Sequence, residues 1–226
     1  MNATKNKGKT SELLSAIKYY DIDHAENLIK KGADVNATDK DGRTALMFAV
    51  MRGYEELTKL LIDKGADVNA ADKHGRTALM LTEDPELTKL LIDKGADVNA
   101  TDKDGRTALM LTEDPELAEL LIDKGADVNA ADKYGTTALM FAVTRRYEEL
   151  AELLIYKGAD VNAADKDGRT ALMLAMERHY IKVAGLLIDK GAKVNATDKY
   201  GRTAFDDLAN PQSIANLLRL LRQKTE

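Results

Sequence analysis

The chain has 226 residues, 44% hydrophobic and 31% charged, with a formal net charge of -5 and neither Cys nor Trp. The absence of Cys excludes disulfides, thiolate zinc sites and cysteine nucleophiles, and the acidic balance argues against general binding to nucleic acid or anionic membranes. No apolar run approaches the roughly 18 residues a membrane span needs, and no signal-peptide core stands at the N-terminus, so a cytoplasmic location is expected.

Residues 1–9 form a polar arm carrying Lys5, Lys7 and Lys9, with no apolar periodicity, and are expected to be disordered. From about Thr10, Leu13, Leu14 and Ile17 predict a short helix, and Asp23 with Glu26 three residues later predicts a capping-box start to a second, ending at Gly32. This unit, 10–38, opens on polar Thr10, Ser11 and Glu12, as suits the end of a stack. It is the expected N-terminal cap.

Five internal units follow, at 39–71, 72–101, 102–131, 132–164 and 165–197, marked by Gly42 recurring as Gly75, Gly105, Gly135 and Gly168, and once more as Gly201 in the segment after them. Such a period signals stacked supersecondary units that cannot bury a core alone, so one elongated domain over 10–226 is expected. In the first unit, Asp39 and Gly42 fit the ends of a type I turn. Thr44 caps a short helix through Ala45, Leu46 and Ala49. A second helix places Leu57, Leu60 and Leu61 on one face. Lys64 suits its negative end and Gly65 its left-handed stop. Ile62 falls off that face toward a neighbouring unit, and Val68 pins the loop to the next turn.

Units 72–101 and 102–131 are three residues shorter than the others and agree with each other at 26 of 30 positions. Aligning Thr77 with Thr44 and Leu87 with Leu57 confines the deletion to the end of the first helix and the turn after it. Asp84 then becomes the cap of the second helix with Pro85 first inside it, and Asp114-Pro115 repeats this. Both first helices should lose about one turn, roughly 5 Å, leaving a notch away from the fingers. The unit 165–197 carries Gly185 inside a predicted helix and Lys193 where the others have Asp. The chain closes with 198–226, a C-terminal cap whose last helix is expected to open at Asn210-Pro211.

The pattern Asp-x-x-Gly-x-Thr-Ala-Leu-Met followed by Leu-Leu-Ile-x-x-Gly-Ala-Asp-Val-Asn-Ala resembles the ankyrin repeat from Thr10 onward. The resemblance implies an all-α fold, an ankyrin-repeat solenoid of stacked helix-turn-helix units with hairpin fingers. Where the family has Thr-Pro-Leu-His, this chain has Thr-Ala-Leu-Met, so an inter-repeat hydrogen bond gives way to adaptable Met packing. The family also includes substrates of asparaginyl hydroxylation in animal cells, which draws notice to Asn36, Asn69, Asn99, Asn129, Asn162 and Asn195. Their structural use would be as loop residues bonding backbone.

Catalytic groupings are missing. Ser11, Ser15 and Ser213 lie in the caps, and His24, His74 and His179 stand far apart in the repeat order, so no Ser-His-acid or His-x-x-x-His set can be built. Asp39-x-Asp41-Gly42 imitates part of a calcium loop, but the positions that need carboxylates are Ala37 and Phe48. Glu83-Asp84 and Glu113-Asp114 read as caps before proline rather than an acid/base pair. No enzyme activity, cofactor or metal is expected.

Two ladders remain. Lys40, Lys73, Lys103, Lys133, Lys166 and Lys199 each follow an Asp and read as solvated turns. Arg43, Arg76, Arg106, Arg169 and Arg202, interrupted by Thr136, are expected to line the concave side and to favour an acidic partner. The resemblance implies partner contacts through finger tips and the exposed side of first helices. Carried onto this chain, these are Lys40, Asp41, Arg43, Met51 and Arg52, then Lys73, His74, Arg76, Lys103, Asp104, Arg106, Lys133, Tyr134, Arg145, Lys166, Asp167, Arg169 and Arg178. The expectation is a monomeric, non-catalytic protein-protein interaction module with a protein partner and no nucleic acid or membrane. The alternative is an engineered or consensus-like scaffold with no natural ligand. Variation at Asp41, His74, Asp104, Tyr134, Asp167 and Tyr200 favours the first, and the near-identity of the two short units favours the second.

Overall fold

A computed structural model describes residues 12–206. The arm 1–9, the onset of the first helix at Thr10 and the closing helix from Asn210 lie outside them. Among the described residues the fold is all-α, and β pairing is limited to isolated bridges, Thr38 with Thr44, Ala131 with Thr137 and Ala164 with Thr170. Two compact units are present. One runs to Ala108 and includes Asp123–Gly125; the other comprises Leu109–Ile122 and the residues from Ala126 onward.

The first unit opens with a helix over 12–18, here α1, and α2 (Ile22–Lys30). The cap of α2 is Asp21, which accepts from the His24 N–H, rather than the expected Asp23, which sits in the first turn. Tyr20, left-handed at φ 69, turns the chain sharply enough that the helix starts early, and Glu26 pairs with Lys30 at 3.1 Å instead of reaching back to a cap.

Next come α3 (Ala45–Met51) and α4 (Glu55–Asp63). Thr44 is extended and accepts from the Met47 N–H at 3.3 Å, which starts α3. Ala45 through Val50 are all buried; a helix apolar all round belongs between neighbours, and α3 packs on α4 and on the following unit's Ala78–Leu81 turn. Helix α4 is amphipathic, burying Leu57 and Leu61 and leaving Leu60 and Ile62 half-buried. At its end Gly65 is left-handed and the Ala66 N–H reaches back to the Leu61 carbonyl at 2.9 Å, a Schellman closure. Helix α2 packs on α4, so second helices stack on second helices.

The shortened units differ where expected. The first helix of 72–101 is a single 3-10 stretch of four residues, Ala78–Leu81, and that of 102–131 is α6 (Ala108–Leu111), also four residues, against seven in α3. Asp84 caps α5 (Pro85–Asp93), accepting from the Glu86 and Leu87 N–H groups at 2.8 and 3.3 Å. Asp114 does the same for α7 (Pro115–Asp123) through Glu116 at 2.9 Å. In full-length units the residue that ends the first turn is left-handed, Gly53, Arg146 or His179. In unit 72–101 it is replaced by extended backbone at Thr82 and at Asp84, the latter in the conformation that Pro85 favours for the residue before it.

In the second unit α8 (Ala138–Arg145) packs on α9 (Glu148–Tyr156) and on α10 (Ala171–Glu177), and α11 (Ile181–Asp189) packs on α9 and α10. Thr137 and Thr170 cap α8 and α10 as Thr44 caps α3. Helix α11 continues through Gly185, which is buried beside space that a methyl group could occupy. Met47, Met110 and Met140 are buried in the cores, where Met was expected to take over from the family's His.

Candidate functional site

Each finger is organised by its first aspartate. Asp39 Oδ1 accepts from the Asp41 and Arg43 N–H groups at 2.8 and 3.0 Å, and the Gly42 N–H closes on the Asp39 carbonyl at 3.0 Å. The other carboxylate oxygen takes the Arg43 guanidinium, with Nε at 3.1 Å and a terminal nitrogen at 2.8 Å. Arg76 grips Asp72 in the same way at 2.9 and 2.7 Å. In the second unit Arg169 grips Asp165 at 2.9 and 2.8 Å, and Arg202 grips Asp198 at 2.9 and 2.7 Å. Arg106 turns instead to Asp104, at 2.8 Å. Burial pushes the Asp39, Asp72 and Asp198 carboxyls up, but the bonds from backbone N–H and guanidinium outweigh it and hold all three below the ordinary value.

The arginine ladder is therefore a set of internal staples. Its charge is largely neutralised where it was expected to face an acidic partner. In the finger with Thr136, Asp132 is only 7% exposed and keeps the two backbone donors, Tyr134 and Thr136, each at 2.8 Å.

Neighbouring fingers are tied by one backbone bond each. The Lys73 N–H donates to the Asp41 carbonyl at 2.9 Å and Lys103 to His74 at 2.8 Å; in the second unit Lys166 donates to Tyr134 and Lys199 to Asp167, both at 2.8 Å. Gly75 shows why glycine stands here: it is left-handed, and a Cβ on it would lie 2.8 Å from the Lys103 nitrogen. The ammonium groups of Lys40, Lys73, Lys103 and Lys166 are exposed and have no side-chain partner among the described residues. Lys199 meets Asp167 at 2.8 Å, and Lys133 lies over the Tyr134 ring at 5.1 Å.

On the first helices, Met51 is 48% exposed. Arg52 stacks on Tyr20 at 4.7 Å and donates to its hydroxyl, and Arg145 lies over Phe141 at 5.4 Å. Arg178 is exposed, without a side-chain partner among the described residues. Arg169, Met173, Glu177, Asp198, Arg202 and Thr203 line a shallow cleft in the second unit. Among the described residues no cluster of three or more His, Asp or Glu side chains is placed to hold a metal ion, and no helix is long and apolar enough to cross a membrane.

Sequence reasoning marked the Val-Asn-Ala asparagines as loop residues but not what they reach. Asn36 Nδ2 donates to the Gly65 carbonyl at 2.9 Å while its Oδ1 accepts from the Asp67 N–H at 2.8 Å, so one amide spans two repeats. Asn69 does the same with Gly95 and Asp97 at 2.9 and 2.8 Å. In the second unit Asn162 bonds Gly191 and Lys193 at 3.1 and 2.8 Å. The tyrosines before second helices were also missed. Tyr147 donates to Glu113 at 2.8 Å. The Tyr180 hydroxyl sits 3.3 Å from Glu148, and burial together with that carboxylate pushes it up to about 12.

The sequence matches the family model for ankyrin repeats, described as three copies, over residues 13–82, 81–165 and 111–198. A 50-residue stretch is 46% identical to the potassium channel SKOR of Arabidopsis thaliana, covering 22% of this chain and 6% of that protein. The chain thus spans a small fraction of that relative. Among solved structures it is similar to the ankyrin repeat domain of Bcl-3, a member of the IkappaB family. The TM-score is 0.78 with 28% identity, over 92% of this chain and 97% of that one.

Proposed function

We propose that this chain, which belongs to the ankyrin repeat family, is a non-catalytic protein-protein interaction module that meets its partner with finger tips and the exposed sides of its first helices. The construction of the fingers carries this reading. Asp and Gly fix the turn, Arg staples it, and the next finger's Lys N–H consumes a carbonyl. What varies is the side chain at Asp41, His74, Asp104, Tyr134, Asp167 and Tyr200. A rigid backbone presenting changeable side chains lowers the ordering cost of binding.

In this reading the partner surface is acidic, and the cations that meet it are Lys40, Lys73, Lys103 and Lys166, since the guanidinium groups are held by aspartates. Substituting the arginines would test finger integrity and binding together; substituting the lysines isolates binding. Affinity capture from a lysate, comparing the native chain with one carrying Lys40→Glu, Lys73→Glu, Lys103→Glu and Met51→Asp, should show proteins retained by the first alone. Equal retention by both, with circular dichroism unchanged, would overturn the reading. A consensus-like scaffold is the second reading, favoured by the agreement of units 72–101 and 102–131 at 26 of 30 positions; it expects no specific retention by either.

A further inference from the structure

We infer that the two aromatic finger tips of the second unit, Tyr134 and Tyr200, are anchoring contacts for an acidic protein segment that also carries aromatic or aliphatic side chains. The inference rests on the binding reading above and names the chemistry of the partner.

Four observations carry it. Tyr134 is 55% exposed and Tyr200 70%, at the position where the other fingers have Asp41, His74, Asp104 and Asp167. Exposed apolar residues scattered singly need no explanation, but here the same residue recurs at the same register, two fingers apart. Second, the backbone beneath each ring is fixed: the Tyr134 and Tyr200 N–H groups each donate to the finger aspartate at 2.8 Å, and the Tyr134 carbonyl accepts from Lys166. A tyrosine on a fixed backbone has two side-chain torsions left to order, which is why this residue serves as an anchor in binding surfaces.

Third, each ring carries a cation over it, Lys133 at 5.1 Å from Tyr134, and Lys199 at 5.0 Å and Arg202 at 5.3 Å from Tyr200. The cation steadies the ring and leaves its remaining surface for an apolar contact beside a positive charge. Fourth, the finger between the two rings presents Lys166, exposed and without a side-chain partner among the described residues, on a chain whose net charge is -5. An acidic segment is repelled by the protein as a whole and attracted locally here. A purely polyanionic segment would leave the rings uncovered, and a purely apolar one would forgo Lys166.

The test uses the full chain on a biosensor surface, with a random copolymer of glutamate and tyrosine as probe and poly-glutamate and poly-lysine as comparisons. The copolymer should bind about tenfold more tightly than poly-glutamate, the scale of one anchoring aromatic, and poly-lysine should not bind. Replacing both Tyr134→Ala and Tyr200→Ala should erase the preference for the copolymer, while Tyr156→Ala, at another exposed tyrosine, should leave it intact. Copolymer binding no tighter than poly-glutamate overturns the inference. So does a preference that survives in the double variant or falls equally in Tyr156→Ala. If binding survives the tip variant but fails with Met51→Asp and Arg145→Glu, the inference falls and the interaction surface stands; if it survives both, both fall.

Discussion

The 33-residue units and the 30-residue units end their second helices alike but begin their helices by opposite means. In 39–71, 132–164 and 165–197 the first helix is capped by Thr44, Thr137 or Thr170, and the residue before each finger bridges to that threonine. Their second helices start at Tyr54, Tyr147 and Tyr180 with no side-chain cap. In the short units the hydroxyls of Thr77 and Thr107 are buried without a partner, and Asp84 and Asp114 cap the second helix instead. Removing three residues thus moved the cap from one helix to the other. Each of these five units has one helix start with a side-chain cap, on the first helix in the long units and on the second in the short ones.

Acid should have the largest effect, and it should spare neither class. The carboxyls of Asp39, in a long unit, and Asp72, in a short one, lie below their ordinary value of 3.8 when folded. A depressed folded value contributes stability above the unfolded value and loses it as pH falls through the folded one. Urea midpoints should hold from neutrality to about pH 5 and fall steeply below about pH 4; an unchanged midpoint at pH 3 would mean the finger aspartates contribute nothing.

The sharpest contrast between the classes is Thr44→Val against Thr77→Val. The first removes a working cap and should cost about 1–2 kcal/mol; the second removes an unpartnered buried hydroxyl and should be neutral or stabilising. Equal losses in chemical denaturation would erase the distinction. Asp84→Ala should cost about 1 kcal/mol, read as faster amide exchange at Glu86 and Leu87 before any other helix start responds. The smallest expected effect is Arg146→Gly, at a left-handed position that the two short units lack. Relief of strain, offset by the freedom glycine gains when unfolded, should leave a gain of about 0.5 kcal/mol. A loss would show that stacking of Arg146 over Tyr180, at 5.6 Å, outweighs the backbone.

The elements were legible because their signals are local. Asp39 and Gly42 specify a turn, Thr44 a helix start, and Asp84-Pro85 another, each within a few residues. Failure came where a side chain had two possible partners. Arg43 reads as a surface cation until Asp39, four residues earlier, is seen to take it. Asp23 reads as a cap because the left-handed turn at Tyr20 has no signature in a tyrosine. The targets of Asn36, the Gly65 carbonyl and the Asp67 N–H, are backbone groups of another repeat. Only the stacked geometry brings them near.

Those asparagines also bear on how such a chain grows. The step from Gly32 to Asn36 is repeated unchanged from Gly65 to Asn69, Gly95 to Asn99, Gly125 to Asn129 and Gly158 to Asn162, while the length change falls between residues 50 and 56. Each amide reads the loop of its successor, as Asn99 does with Gly125 at 3.0 Å. A tandem copy of one unit arrives with an asparagine for the loop after it and a glycine carbonyl for the asparagine before it. Gene duplication in whole units therefore leaves every amide supplied, whereas a frame-preserving insertion inside the Gly-to-Asn step would strand two.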